Sequence, residues 1–225
     1  MLAVQRSSLP EQVFRELVSA VLEGRYAPGD RLPPQRALAA DLGVNMASLR
    51  EGIKRLEQLR LVEVRHGDAM RVTDWRARGG LDVLAYAAMS DPAITGAVFE
   101  ARRLLLREAA RLAAARRTDD QAGRLHELAE AFAAAPDDAA AQAIDLAFMA
   151  TVIDAAQNLV FTLIINSIRE LYVQHLDRFR AIVADRGTLA PLYAAAAGAI
   201  GRRDEDATAQ AIELLATHQQ RAMEP

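Results

Sequence analysis

The chain has 225 residues, 27 basic and 30 acidic side chains, a net charge of −3 and no cysteine. That length admits one large domain or two small ones. Having no cysteine excludes disulfides, thiolate metal sites and cysteine nucleophiles, and suits a reducing, cytoplasmic compartment.

No stretch approaches the roughly 18 uncharged apolar residues of a membrane span, and residues 1–10 lack the apolar run of a secretory signal. The hydrophobic share is 52%, much of it alanine, with 5% aromatics, which predicts a mostly helical protein. Charge is unevenly spread: residues 1–78 carry 13 basic and 10 acidic side chains, the remainder 14 and 20. Composition changes at the same place. The expected organisation is a first domain over 1–75, a polar linker at 76–80 and a second, all-helical domain over 81–225.

Residues 9–24 place Val13, Leu17, Val21 and Leu22 on one helical face, ended by Gly24. Pro28-Gly29-Asp30 reads as a turn, and residues 34–42 as a second helix closed by Gly43. A third helix follows, with Leu49, Ile53 and Leu56 inward. Asn45 is a candidate N-cap, and Ser48 with Glu51 a candidate capping box one turn later. Two alternating runs, Leu61–Arg65 and Met70–Thr73, are joined by the turn residues His66-Gly67-Asp68. Three helices and a hairpin within about 70 residues describe a winged helix-turn-helix, whose recognition helix enters a major groove while its neighbours hold phosphates. The groups available for that are Arg36, Asn45, Ser48, Arg50, Lys54 and His66. Arg50 and Lys54 are four apart and share the face opposite the apolar stripe.

The run PGDRLPPQRALAADLGVNMASLREGIKRLEQLRLVEVRHG resembles the DNA-binding module of the GntR family of bacterial transcription regulators. By that resemblance Arg36 and Arg50 contact operator backbone and base edges. Asn45, Met46, Ala47 and Ser48 form the helix tip, Lys54 lies one turn beyond Arg50, and His66-Gly67 form a wing that reaches the minor groove. The chain departs from the family pattern at Pro34-Gln35, where Ser-Glu is usual, and at Met46, where arginine is usual. Methionine cannot make the bidentate contact to guanine and can only touch a thymine methyl.

Beyond residue 80 the elements are almost all helical. Asp91-Pro92 opens a helix through Arg117. Thr118 and Gln121 form a capping box for a helix over about 119–134. Pro136-Asp137-Asp138 opens another, to Gln157. Residues Asn158 to Asp185 read as one long helix, apolar through Phe161, Ile164, Ile165, Ile168, Leu171 and Tyr172. Helices over 188–202 and 205–222 complete an antiparallel bundle of six to seven helices.

VFEARRLLLREAARLAAARRTDD with DLAFMATVIDAAQNLVF resembles the FCD effector domain of the FadR subfamily. Many members hold a metal with an aspartate, a histidine four residues later and two histidines from the last two helices. Asp145 matches the aspartate, but Met149 replaces the first histidine and Tyr193 stands near the second, leaving only His218. No metal or other cofactor is therefore expected.

LIINSIRELYVQHLDRFR is similar to the metal-free, fatty-acid-responsive branch, where the resemblance implies that Tyr172 and Phe179 line an acyl pocket. Arg102 is a candidate for a ligand carboxylate or for an ion pair with Asp145. His175 is a surface histidine or a ligand contact, and His126 and Arg202-Arg203 read as solvated. The resemblance implies a homodimer on a palindromic double-stranded operator, acting as a repressor, with an acyl-CoA, fatty acid or other organic acid as effector. A constitutive DNA-binding protein whose helical domain only dimerises is the alternative. An enzyme is not expected, since there is no Gly-rich phosphate loop, metal triad or G-x-S-x-G.

Overall fold

The computed structural model describes residues 8–64 and 69–223. The chain divides into two compact units, Met1–Pro92 and Ala93–Pro225.

The first unit opens with α1 (Leu9–Leu22), capped by Ser8 and stopped where Gly24 takes a φ of 78°. Next come α2 (Gln35–Asp41) and α3 (Met46–Gln58), then the strands β1 (Val62–Glu63) and β2 (Arg71–Val72). The strands pair antiparallel, Val62 opposite Val72 and Glu63 opposite Arg71, with Arg31 bridging the outer side of β2. Among the described residues the paired strands cover less than the alternation predicts.

The core forms as the apolar spacing requires: Val13, Phe14 and Leu17 of α1 meet Leu49, Ile53 and Leu56 of α3. The α1–α3 crossing is close at Gly52, where a Cβ would stand 2.7 Å from the Val13 side chain and 3.3 Å from the Phe14 backbone nitrogen. Arg55 clamps the same pair. Its guanidinium lies 3.8 Å from the Phe14 ring centroid and bonds Glu11.

The segment expected to be linker contains a short helical turn, α4 (Trp75–Arg78). Residues expected to open the second domain form α5 (Leu81–Ser90), which packs on α1. Val83 is buried in the first unit's core, and Tyr86 meets the Phe14 ring edge-on at 5.3 Å. Burying these two side chains draws α5 to the first unit.

The second unit contains α6 (Pro92–Arg116), α7 (Asp119–Ala133), α8 (Asp138–Ala155), α9 (Leu159–Gln174), α10 (Arg186–Gly201) and α11 (Glu205–Arg221). The Thr118–Gln121 capping box forms as expected. α10 packs between α7 and α11, with Tyr193 fully buried against the rings of Phe132 and Phe148.

The helix predicted over 158–185 does not run through. α9 ends at His175, and a 3-10 turn covers Arg180–Val183. Phe179, Ile182 and Val183 turn into the core, with Phe179 stacked on Tyr172 at 5.6 Å. No glycine or proline marks this break; apolar burial decides it.

Arg203, exposed as expected, also donates to the Ala115 and Arg117 carbonyls at the end of α6. In return, Arg117 donates to the Ile200 and Gly201 carbonyls at the end of α10. Each arginine thus donates to carbonyls at a helix end, where the helical backbone pattern runs out; that of Ile200 also accepts from the Arg203 backbone N–H. Among the described residues no helix is long and apolar enough to cross a membrane.

Candidate nucleic-acid interface and effector cavity

α2 and α3 form the helix-turn-helix. Gly43 takes a φ of 64° between them, a left-handed conformation that side chains resist. Asn45, not Ser48, caps α3: its side-chain oxygen accepts from the Ser48 backbone nitrogen at 2.8 Å. That leaves the Asn45 amide group free to donate outward. Ser48 itself is 8% exposed, in the first turn of α3 beside the exposed Asn45 and Ala47. Met46 packs partly against the unit's core. Arg50 and Lys54 are exposed on α3, and Arg36 on α2. Among the described residues none of these three cations forms an ion pair, whereas Arg55 on the same helix is committed to Glu11. His66 and Gly67 lie outside the described residues.

The second unit encloses a cavity of about 250 Å³ between α6, α8, α9 and the 3-10 turn. Its wall is mainly apolar, with Phe99, Leu106, Met149, Ile165, Ile168 and Phe179. Arg102, Asp145 and Tyr172 supply polar groups. Five of the seven residues expected at the effector site, namely Arg102, Asp145, Met149, Tyr172 and Phe179, therefore line one space. The other two do not. Tyr193 is fully buried behind Asp145, and His218 faces Asp185 at 3.3 Å.

Among the residues that α11 buries is Gln219, which meets both Arg102 and Asp145. Its amide donates to Asp145 Oδ1 at 3.0 Å, while its carbonyl accepts from Arg102 at 2.9 Å. Tyr193 also donates to Asp145 Oδ1. Arg102 and Asp145 are thus joined through an amide rather than by a direct ion pair. Burial, then the Asp145 charge, raises the Tyr193 phenol well above its ordinary range, so it remains a donor. One residue along a helix is about 100° of rotation, which is why His218 and Gln219 have different roles.

These groups do not fit the divalent metal of the related domains. Asp145 Oδ1 already accepts two hydrogen bonds, and the position of one histidine holds a thioether. His218 is engaged elsewhere. Borderline divalent ions take imidazole and carboxylate donors. Among the described residues no three His, Asp or Glu side chains gather.

On α9, Leu159, Val160 and Leu163 are exposed, and Arg169 stands exposed at the cavity rim. His175 caps α9 with its backbone.

Comparison with known proteins agrees with this architecture. Residues 9–72 match the bacterial regulatory proteins of the gntR family, and residues 97–218 match the FCD domain. The HTH-type transcriptional regulator Mce2R of Mycobacterium tuberculosis is 36% identical over 173 residues, 75% of this chain and 72% of its own. The HTH-type transcriptional regulator LutR of Bacillus subtilis is 26% identical over 163 residues, 72% of this chain and 74% of its own. A solved structure of Lar, described as controlling the Listeria monocytogenes agr system, superposes with a TM-score of 0.62 at 17% identity. It covers 97% of this chain and 98% of that one, and the likeness is one of fold.

A winged helix-turn-helix followed by a helical effector domain defines a one-chain transcription regulator. The chain belongs to the GntR family, in the FadR-type subfamily whose second domain is an FCD domain. It is a DNA-binding regulator, not an enzyme.

Proposed function

We propose that this regulator binds a palindromic operator as a homodimer, represses from it, and leaves it when a small aliphatic molecule enters the cavity of the second unit. Arg36, Asn45, Ala47, Arg50 and Lys54 are the DNA contacts on α2 and α3, with His66 and Gly67 at the wing. The observation that carries the effector reading is the cavity itself: about 250 Å³, mainly apolar, with Arg102, Asp145 and Tyr172 contributing polar groups. Acyl-CoA, fatty acid and other organic acids have a carbon skeleton in common, and the space suits that part. A coenzyme A nucleotide would remain outside it. A two-fold dimer places two recognition helices about one helical turn of DNA apart, hence a palindrome. A ligand releases DNA only by its differential affinity for the two arrangements.

Selection from random oligonucleotides, followed by gel shift, tests both halves. We expect an enriched palindrome, and Arg50→Ala should weaken operator binding by about 1–3 kcal/mol for each base edge that the arginine reads. Enrichment of no palindrome, with Arg50→Ala neutral, would refute the DNA half. If operator affinity stayed unchanged in every aliphatic compound that binds, the second unit would serve only to dimerise.

A further inference from the structure

We infer that the polar end of the cavity recognises an uncharged oxygen, such as the hydroxyl of an alcohol or the carbonyl of an ester, rather than a free carboxylate. The inference rests on the effector reading of this cavity and names the chemical class of the head group.

Two independent observations carry it. The first is charge. Asp145 is 2% exposed and lines the cavity. Arg102, half-buried beside it, is tied to the same carboxylate through Gln219, by bonds of 2.9 and 3.0 Å. The inner pair is therefore already balanced. At the exposed rim, Arg169 and Asp154 carry opposite charges. A ligand carboxylate at the inner end would stand as a second anion beside Asp145 in a mainly apolar space, where like charges are strongly disfavoured.

The second observation is Tyr172. It lines the cavity and is 8% exposed, and among the described residues its buried hydroxyl has no hydrogen-bond partner. Gln142 lies beside it and gives one of its two amide N–H groups to the Leu176 carbonyl at 2.8 Å; a bond from the other to the phenol oxygen would still leave the phenol O–H without an acceptor. Buried polar groups in folded proteins are nearly always satisfied. A neutral phenol supplies one donor and needs one acceptor oxygen. The space beyond, in a cavity of about 250 Å³, is mainly apolar. A medium-chain alcohol or ester meets all three conditions.

The test uses the full chain and three matched probes: octan-1-ol, methyl octanoate and sodium octanoate, titrated calorimetrically at pH 7.5. We expect the two uncharged probes to bind at least tenfold tighter than octanoate. Tyr172→Phe should weaken them about fivefold, the effect of one hydrogen bond. The same variant should not lower the melting temperature of the unliganded protein, because it removes an unpaired polar group. A merely structural tyrosine would give the opposite pattern. Octanoate binding as tightly as the alcohol, or binding that ignores Tyr172→Phe, overturns the inference while leaving the cavity an effector site. If none of the probes binds at millimolar concentration, the effector reading of the cavity fails and the inference with it.

Discussion

Glu11 illustrates how a single side chain joins local and long-range structure. It stands in the first turn of α1, where an acid is favoured, yet its main partner is Arg55, 44 residues away. The hydrogen bond from Arg55, then that from Arg15, lowers its carboxyl below the ordinary glutamate range. A lowered folded-state value means stability that is present above the unfolded value and lost as pH falls through the folded one. The wild type should therefore exceed Glu11→Gln by about 1 kcal/mol near neutral pH. That advantage should shrink towards zero as pH falls through and below the ordinary glutamate range. Urea melts of both proteins at several pH values measure this. A difference that persisted undiminished in acid would show that the carboxylate charge is not its source. Gln219 gives a second lesson at the same scale. A histidine at 218 draws attention in the sequence because histidines bind metals, while nothing local says that the adjacent glutamine links Arg102 to Asp145. Only helix phase decides which faces Asp145.

At the scale of elements, local signals located helix starts better than helix ends. Ser8, Asn45, Thr118, Asp137, Asn158 and Asp204 each cap the helix that follows. A cap needs only a short polar side chain before an amphipathic run, so it can be read locally. The ends of α6 and α10 are different, because their carbonyls are met by Arg203 and Arg117 from distant positions. Arg117 is the more buried of the two, its side chain 10% exposed. Arg117→Ala should cost the second unit about 2–3 kcal/mol in urea unfolding, since two carbonyls would be left without a charged donor. Arg203→Ala, more exposed, should cost about 1 kcal/mol. Wild-type stability in Arg117→Ala would mean that solvent replaces the clamp without penalty. The 3-10 turn after α9 was likewise illegible, because its cause is the core that receives Phe179 and Ile182.

At the scale of the whole molecule, the two-part organisation was legible from composition, but the fate of residues 81–90 was not. That stretch is helical and alanine-rich, like everything after it, so propensity alone groups it with the bundle. Packing of Val83 and Tyr86 joins it to α1 instead. A fragment of residues 1–92 should accordingly unfold cooperatively, and one ending at residue 80 should be less stable by roughly 2 kcal/mol. Thermal melts of the two fragments check this; identical curves would mean that α5 adds nothing.

By itself, the order of residues determined the winged helix-turn-helix, the all-helical second part, and the separation of outward Arg50 and Lys54 from inward Leu49 and Ile53. All of these follow from spacing within one or two turns of chain. What only the tertiary structure decided is the interior of the second unit: the linkage of Arg102 to Asp145 through Gln219, and a tyrosine hydroxyl buried without a partner. Those facts depend on which side chains from helices far apart in sequence come within about 3 Å of one another. No periodicity along a single helix encodes that distance.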